Sequence, residues 1–94
     1  MFLFARFHVR AGEEAAMERA LADVLPPSAA EPGCLSIQSF RSQRDPRLFY
    51  IHSRWTGEEA FDMHAGLPHT VRFLERVEAL SDQPLEITRA ERIG

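Results

Sequence analysis

The chain contains no lysine and no asparagine, and it has one cysteine, one tryptophan and one tyrosine among its 94 residues. Its single cysteine, Cys34, cannot form an internal disulfide, which is typical of proteins from reducing compartments. The apolar run at the start of the chain ends before Arg6, so it is too short for a signal-peptide core or a membrane-spanning helix. We therefore expect a cytoplasmic protein that does not engage a membrane.

Neither sign of charge dominates the chain. All 11 bases are arginine, 14 acids are mixed among them, and the formal net charge is −3. Nucleic-acid recognition requires a concentrated basic surface, so we expect no nucleic-acid partner. The apolar content of 45% and charged content of 27% are ordinary for a globular protein, and the length suits one domain over residues 1–94 with a thin core.

The first half of the chain predicts a strand followed by a helix. Residues 2–9 alternate imperfectly, and apolar side chains fall on both faces of the predicted strand. Apolar residues at helical spacing then predict a helix over about 12–25. Pro26 and Pro27 lack the backbone N–H that a continuing helix needs, so a kink or a stop is expected there.

Two capping signals accompany the predicted helices. Ser28, with Glu31 three residues later, is a pair that would cap one further turn. Thr56 and Glu59 have the same spacing, which predicts a helix beginning at Gly57.

The middle of the chain predicts a β-hairpin. Two strands, 34–41 and 48–55, flank a turn at Asp45-Pro46. The second strand has two distinct faces: Phe49, Ile51, Ser53 and Trp55 share one, and Leu48, Tyr50, His52 and Arg54 share the other.

The remaining elements complete a recognisable order. Pro68 suits the first position of a further helix, which ends near Ser81, and a last strand follows over 85–93. The resulting order is the split βαβ arrangement of an α+β, ferredoxin-like fold with a four-stranded antiparallel sheet. Helices would cover one face only, although the first and third strands are apolar on both faces. We therefore expect a homodimer through the open sheet face.

Several short motifs, in this order and spacing, resemble the antibiotic biosynthesis monooxygenase domain family, whose members form dimeric α+β barrels. The motifs are Val9-Arg10-Ala11-Gly12, Glu31-Pro32-Gly33-Cys34-Leu35, Asp45-Pro46, Trp55, Ala60-Phe61 with His64, and Pro68-His69 with Phe73.

The resemblance implies a monooxygenase that uses dioxygen as co-substrate and no flavin, haem or metal. Its substrate would be a small hydrophobic phenolic, quinol or anthrone-like compound. Ser53 departs from the pattern, because many relatives have an acid there. The haem-degrading branch has a tryptophan where this chain has His64, and it uses an asparagine that this chain lacks. Two alternatives remain: a non-catalytic binding or stress-related protein, and an isomerase or degrading enzyme for a small signalling molecule, which would require a polar, Arg-lined cavity.

Such chemistry requires a base in a dry pocket, and histidine is the natural candidate. His64 and His69 are the predicted catalytic residues, although each could instead bond a backbone carbonyl at the helix break. The expected substrate-binding residues are Trp55, Phe61, Phe73, Tyr50 and Arg54. His52 would line the dimer interface instead, and His8 could face either way. The spacing of His64 and His69 is not that of a helical ligand pair, so no metal site is expected.

Overall fold

The structure is a computed structural model that describes all 94 residues. Its elements are β1 (Phe2–His8), α1 (Glu14–Ala29), β2 (Cys34–Arg41), β3 (Leu48–Trp55), α2 (Glu58–Ala65), α3 (Pro68–Leu80) and β4 (Glu86–Ala90). None of the helices combines the length and the apolar character that crossing a membrane requires.

The four strands form one antiparallel sheet in the order β2-β3-β1-β4. The central strands pair Phe7 with Phe49 and Leu3 with Ser53. This order and the three helices make an α+β ferredoxin-like fold, which confirms the predicted fold class. The last strand is shorter than predicted, because its pairing with β1 ends at Ala90.

The core lies between the helices and one face of the sheet. The alternation predicted for the second hairpin strand is confirmed, because Phe49, Ile51, Ser53 and Trp55 are all buried. Strand β1 adds Leu3, Ala5 and Phe7, while α1 and α3 contribute Met17, Leu21, Val24, Phe73 and Val77.

Of the kink or stop predicted at Pro26 and Pro27, the stop is wrong, because α1 continues through both prolines to Ala29. Pro26 and Pro27 cannot donate to the preceding turn. The turn is nevertheless closed by the Ala30 N–H, which donates to the Pro26 carbonyl at 3.2 Å. Ser28 in this turn is fully buried, so tertiary packing holds the segment helical where local propensity is poor.

Neither predicted capping pair forms. Gly57 is the N-cap of α2, which begins at Glu58 and has no side-chain cap bond. The Glu31 carboxylate contacts two histidines instead of capping a turn with Ser28.

Gly33 marks a close approach between the start of β2 and α2. A Cβ at Gly33 would lie 2.4 Å from the Cβ of Ala60, a separation that real side chains do not adopt. Only glycine therefore allows the segment after Glu31 to pass this close to α2.

His8 ties three parts of the fold together. Its Nδ1 lies 2.6 Å from the Asp82 carboxylate beyond α3, and its Nε2 lies 2.9 Å from the Asp45 carboxylate in the hairpin turn. The bond to Asp82 raises the pKa of the buried His8, although burial opposes the shift. The pKa of Asp82 is lowered chiefly by His8, and that of Asp45 chiefly by the backbone N–H of Arg47.

These shifts predict a pH window for maximum stability. A raised histidine pKa stabilises the fold fully below the unfolded value of 6.5, and this stabilisation is lost as pH rises through the folded-state pKa. The lowered aspartate pKa values stabilise above the unfolded value of 3.8, and this contribution is lost as pH falls through the folded-state values. We expect His8→Gln to reduce the free energy of unfolding most between these limits and progressively less at alkaline pH, as measured by urea denaturation.

The double variant Asp45→Asn with Asp82→Asn provides the control. Adding His8→Gln to that background should cause no loss of stability that grows as pH falls, because no carboxylate remains to favour the imidazolium and burial alone lowers the pKa of His8. A His8→Gln effect in the otherwise unaltered protein that is constant across the pH range would contradict this interpretation.

Candidate functional site

One carboxylate joins the two predicted catalytic histidines. The Oε2 atom of Glu31 lies 2.7 Å from Nδ1 of His64 and 2.9 Å from Nε2 of His69. Glu31 precedes β2, His64 is on α2 and His69 is in the first turn of α3. Their side chains are largely buried, with exposed fractions of 12%, 10% and 19% respectively. The contact therefore connects three separate segments at one point.

This geometry determines which nitrogen of His64 is free. An ionised carboxylate only accepts hydrogen bonds, so the His64 Nδ1 and the His69 Nε2 that face it both carry hydrogen. Thr70 Oγ1 lies 3.3 Å from the same Nδ1 atom. Since Nε2 of His64 has no protein partner, the neutral ring presents its basic lone pair there.

His64 lines a small cavity between the helices and the sheet. The cavity has a volume of about 130 Å³ and is lined mostly by apolar side chains. Its walls include Phe61 from α2, Phe73 from α3, Leu3 and Ala5 from β1, and Ile87 from β4. His64, Ser28, Ser53 and Thr70 add polar atoms, and no arginine lines it.

Arg89 connects two walls of this cavity. Its guanidinium lies 2.8 Å from the Asp62 carboxylate and 5.1 Å from the centre of the Phe61 ring. Strand β4 is therefore attached to α2 at the edge of the space that Ile87 and Phe61 enclose.

The structure distinguishes the two candidate bases. His64 is buried and lines the cavity, whereas His69 is partly exposed and borders a shallow depression between α1 and α3. His69 does not line the cavity and is linked to His64 through Glu31. The alternative that each histidine bonds a backbone carbonyl is wrong, because one ring nitrogen of each histidine contacts the Glu31 carboxylate instead.

Trp55 lies behind His64 and does not line the cavity. Its ring centre is 4.5 Å from that of His64, and its side chain is almost fully buried. Its indole N–H donates to Ser53 Oγ at 2.9 Å, so this donor is not free for a substrate. The expectation that Trp55 forms a substrate wall is therefore corrected: it packs against the His64 ring.

Of the other predicted binding residues, Phe61 and Phe73 do line the cavity. Tyr50 and Arg54 do not, because they alternate with the buried residues of β3 and project from the opposite face of the sheet. They cannot contact the same ligand as His64 within one protomer. Arg54 instead lies 5.4 Å from the ring centre of Phe2 on that face.

Sequence reasoning missed Glu31 and Ser28 as site residues. Both were interpreted as a capping pair, because their spacing fits one. The signal that could have identified Glu31 is its position immediately before Pro32-Gly33, where a charged residue enters a tight turn beside an apolar helix. Nothing in the local pattern indicates that Ser28 is buried.

Cys34 adjoins the site but is poorly suited to act as a nucleophile. Burial raises the pKa of its thiol, and the negative charge of Glu31 raises it further. The reactive thiolate is therefore disfavoured, consistent with a structural role.

Glu31, His64 and His69 are also the residues that could hold a metal ion. Their ligand atoms lie within 4.8 Å of one another, and two histidines with one carboxylate form a known ligand set. A metal ion would have to replace the hydrogens on His64 Nδ1 and His69 Nε2. These nitrogens now lie 2.7 and 2.9 Å from the Glu31 carboxylate. The absence of a metal requirement stays a prediction, which metal analysis of the purified protein would test.

Loss of the Glu31 carboxylate should destabilise the fold as well as the site. Glu31→Ala leaves two largely buried N–H donors without an acceptor, at a cost of about 1–3 kcal/mol each. We expect a clear fall in the urea midpoint, a smaller fall for Glu31→Gln, which keeps one acceptor oxygen, and almost none for Glu75→Ala on the exposed face of α3. Equal midpoints for Glu31→Ala and Glu75→Ala would show that the histidine contacts do not stabilise the fold.

Comparison with known proteins gives relatives of similar size and fold. The structure of PA3566 from Pseudomonas aeruginosa is 31% identical and superposes with a TM-score of 0.90, covering 99% of this chain and 93% of that one. Rv0793 from Mycobacterium tuberculosis is 29% identical over 86 residues, which are 92% of this chain and 84% of that protein. Its structure superposes with a TM-score of 0.92 and covers 99% of this chain and 94% of that one.

A third relative is longer. The Synechocystis protein sll1783 is 31% identical over 61 residues, which are 65% of this chain and only 42% of that protein. The family model for antibiotic biosynthesis monooxygenase matches residues 1–81, which include every side chain that contacts Glu31. The chain therefore belongs to the antibiotic biosynthesis monooxygenase family.

Proposed function

We propose that the protein is a monooxygenase that acts without an added cofactor on a small phenolic or quinol-like compound bound beside His64. The observation that carries the proposal is the Glu31–His64 pair, which leaves the Nε2 atom of a buried imidazole free at the wall of an apolar cavity. Family membership supports the reaction class.

The first step requires a proton acceptor. A neutral phenol transfers an electron to dioxygen poorly, whereas its phenolate does so more readily. His64 Nε2 takes the hydroxyl proton, and the Glu31 carboxylate stabilises the imidazolium that forms. The apolar walls exclude water, which would otherwise compete for the charges on the base and the substrate.

Oxygen insertion then follows without another protein group. The phenolate passes one electron to dioxygen, and the two radicals combine to form a carbon–oxygen bond at the ring. The His64 imidazolium returns its proton to the peroxide. Loss of the ring hydrogen and cleavage of the oxygen–oxygen bond release water, so one oxygen atom enters the quinone product and the other leaves as water.

Two other functions can be weighed against this one. A binding protein would use the same cavity but would consume no dioxygen. An isomerase or degrading enzyme for a polar signalling molecule fits less well, because the cavity is apolar and no arginine lines it.

The open face of the sheet supports a second part of the proposal, a homodimer. Phe4, Phe40 and Tyr50 project from this face with exposed fractions of 50%, 50% and 37%. Phe4 also packs against His52, with ring centres 4.9 Å apart. Large apolar side chains on a face without helices favour burial against another sheet, and a second copy of the chain supplies one.

Removal of the base should abolish turnover. We expect His64→Ala to lower the rate of oxygen uptake at least about a hundredfold, because general-base catalysis contributes about 10²–10⁴-fold. His69→Ala should lower it less than about tenfold, since His69 acts only through Glu31. The rates are measured with an oxygen electrode, using hydroquinone, methylhydroquinone and anthrone as probes and subtracting their autoxidation.

Chemical rescue separates a lost base from a disturbed fold. Added imidazole should restore part of the His64→Ala rate, because a small base can enter the space the side chain leaves, and it should not restore the rate of a misfolded protein. Unchanged oxygen uptake in His64→Ala would rule out His64 as the base.

A charge on the open sheet face should separate the protomers. We expect the wild-type protein to be a dimer and Phe4→Glu to be a folded monomer by light scattering after gel filtration, because the glutamate would be desolvated at the interface. Met63→Glu is the matched control, because Met63 is a 73% exposed apolar residue on the helical side. A monomeric wild-type protein, or dissociation of both variants, would refute the interface.

A further inference from the structure

The hydroxyl of Ser28 is buried in the cavity wall and has no hydrogen-bond partner. The residue is 0% exposed, and its Oγ atom meets no donor or acceptor in the protein. A helical serine ordinarily bonds the carbonyl four residues earlier or faces solvent, and Ser28 does neither. Because nearly all buried polar atoms are paired in proteins, an unpaired hydroxyl lining a cavity indicates a ligand atom that would pair with it.

Each of the other hydroxyls of the cavity already has one partner in the protein. Ser53 Oγ accepts the Trp55 indole N–H at 2.9 Å, and Thr70 Oγ1 lies 3.3 Å from Nδ1 of His64. The two polar atoms of the lining side chains that have no protein partner at all are His64 Nε2 and Ser28 Oγ. They come from different helices, α2 and α1, and line the same cavity.

The size of the cavity limits what can join these two groups. An apolar cavity of about 150 Å³ holds one benzene molecule. The volume here is about 130 Å³, close to that size, which favours one aromatic ring over the two or three fused rings of a naphthoquinol or an anthrone.

We propose that Ser28 is a specificity-determining residue and that the substrate class is a single-ring benzenediol, with one hydroxyl bound to His64 and the second to Ser28. This inference rests on the proposed function for the pairing of the first hydroxyl with His64. Fused-ring substrates are disfavoured by size, and simple phenols bind less tightly because they lack the second hydroxyl that would pair with Ser28.

The test is a binding measurement without dioxygen, so that no turnover or autoxidation occurs. Calorimetric titrations under nitrogen use phenol and the three benzenediols catechol, resorcinol and hydroquinone, with 1,4-dihydroxynaphthalene as the larger probe. The variant is Ser28→Ala. The matched control is Ser81→Ala, because the Ser81 hydroxyl is also buried without a partner but borders a different groove beside the end of α3.

The expected result is selective. The benzenediol that binds wild-type protein most tightly should lose about three- to tenfold in affinity in Ser28→Ala, the equivalent of one net hydrogen bond. The affinity for phenol should differ by less than about twofold between wild-type protein and Ser28→Ala, because phenol has no second hydroxyl to lose a partner. In Ser81→Ala the affinities for phenol and for the benzenediol should both stay within about twofold of the wild-type values. Ser28→Ala removes a single unpaired oxygen, and an unchanged thermal midpoint confirms that the fold is intact.

Three results would overturn the proposal: an equal loss for phenol and the benzenediol in Ser28→Ala, no loss for either, or tighter wild-type binding of 1,4-dihydroxynaphthalene than of every benzenediol. The outcome is separable from that of the proposed function. Selective benzenediol binding without oxygen uptake would leave Ser28 as a recognition residue and remove the oxygenase. Oxygen uptake that depends on His64, without selective loss of benzenediol binding in Ser28→Ala, would support the oxygenase and remove the role of Ser28.

Discussion

The Glu31 carboxylate is the contact on which the site depends, because one oxygen atom accepts hydrogen bonds from side chains on two different helices. It holds the break between α2 and α3 against the turn that leads into β2. Gly33 permits that turn to lie against Ala60, and Trp55 fills the space behind the His64 ring. Without the carboxylate, two largely buried imidazoles would lack their acceptor, and the free nitrogen of His64 would no longer have a defined direction.

A second histidine, His8, also sits between carboxylates, yet its chemistry differs. Both of its ring nitrogens are occupied, one by Asp82 and one by Asp45, so it has no lone pair to offer a ligand. Its contribution is structural and depends on its charge. His64 has one nitrogen held and one nitrogen free, which is the arrangement that a general base requires. The same residue type therefore links three segments at one end of the sheet and, beneath the helices, presents the free nitrogen on which the proposed chemistry depends.

Much of the fold could be predicted from periodicity. The alternation along residues 48–55 separated the buried Trp55 from the outward-facing Tyr50, and the element order indicated the ferredoxin-like sheet. Local rules failed where tertiary packing overrode them. Pro26 and Pro27 did not end α1, because Ser28 packs into the core and the Ala30 N–H closes the turn. The spacing of Ser28 and Glu31 suited a cap that the chain does not use. The prediction that Tyr50 and Arg54 bind the same ligand as His64 was wrong, because strand alternation places them on the other side of the sheet.

By itself the sequence determined the order of the elements, the faces of the strands and the histidines near the helix break, because these follow from patterns within about ten residues. Only the tertiary structure decided which histidine lines the cavity, that Glu31 joins both, and that the Ser28 hydroxyl lies unpaired in the wall. These features bring together residues that are far apart in the chain: Glu31 is separated from His64 by 33 positions and from His69 by 38 positions. Local periodicity contains no information on contacts between residues so far apart. Those contacts are set by how the helices pack across the sheet.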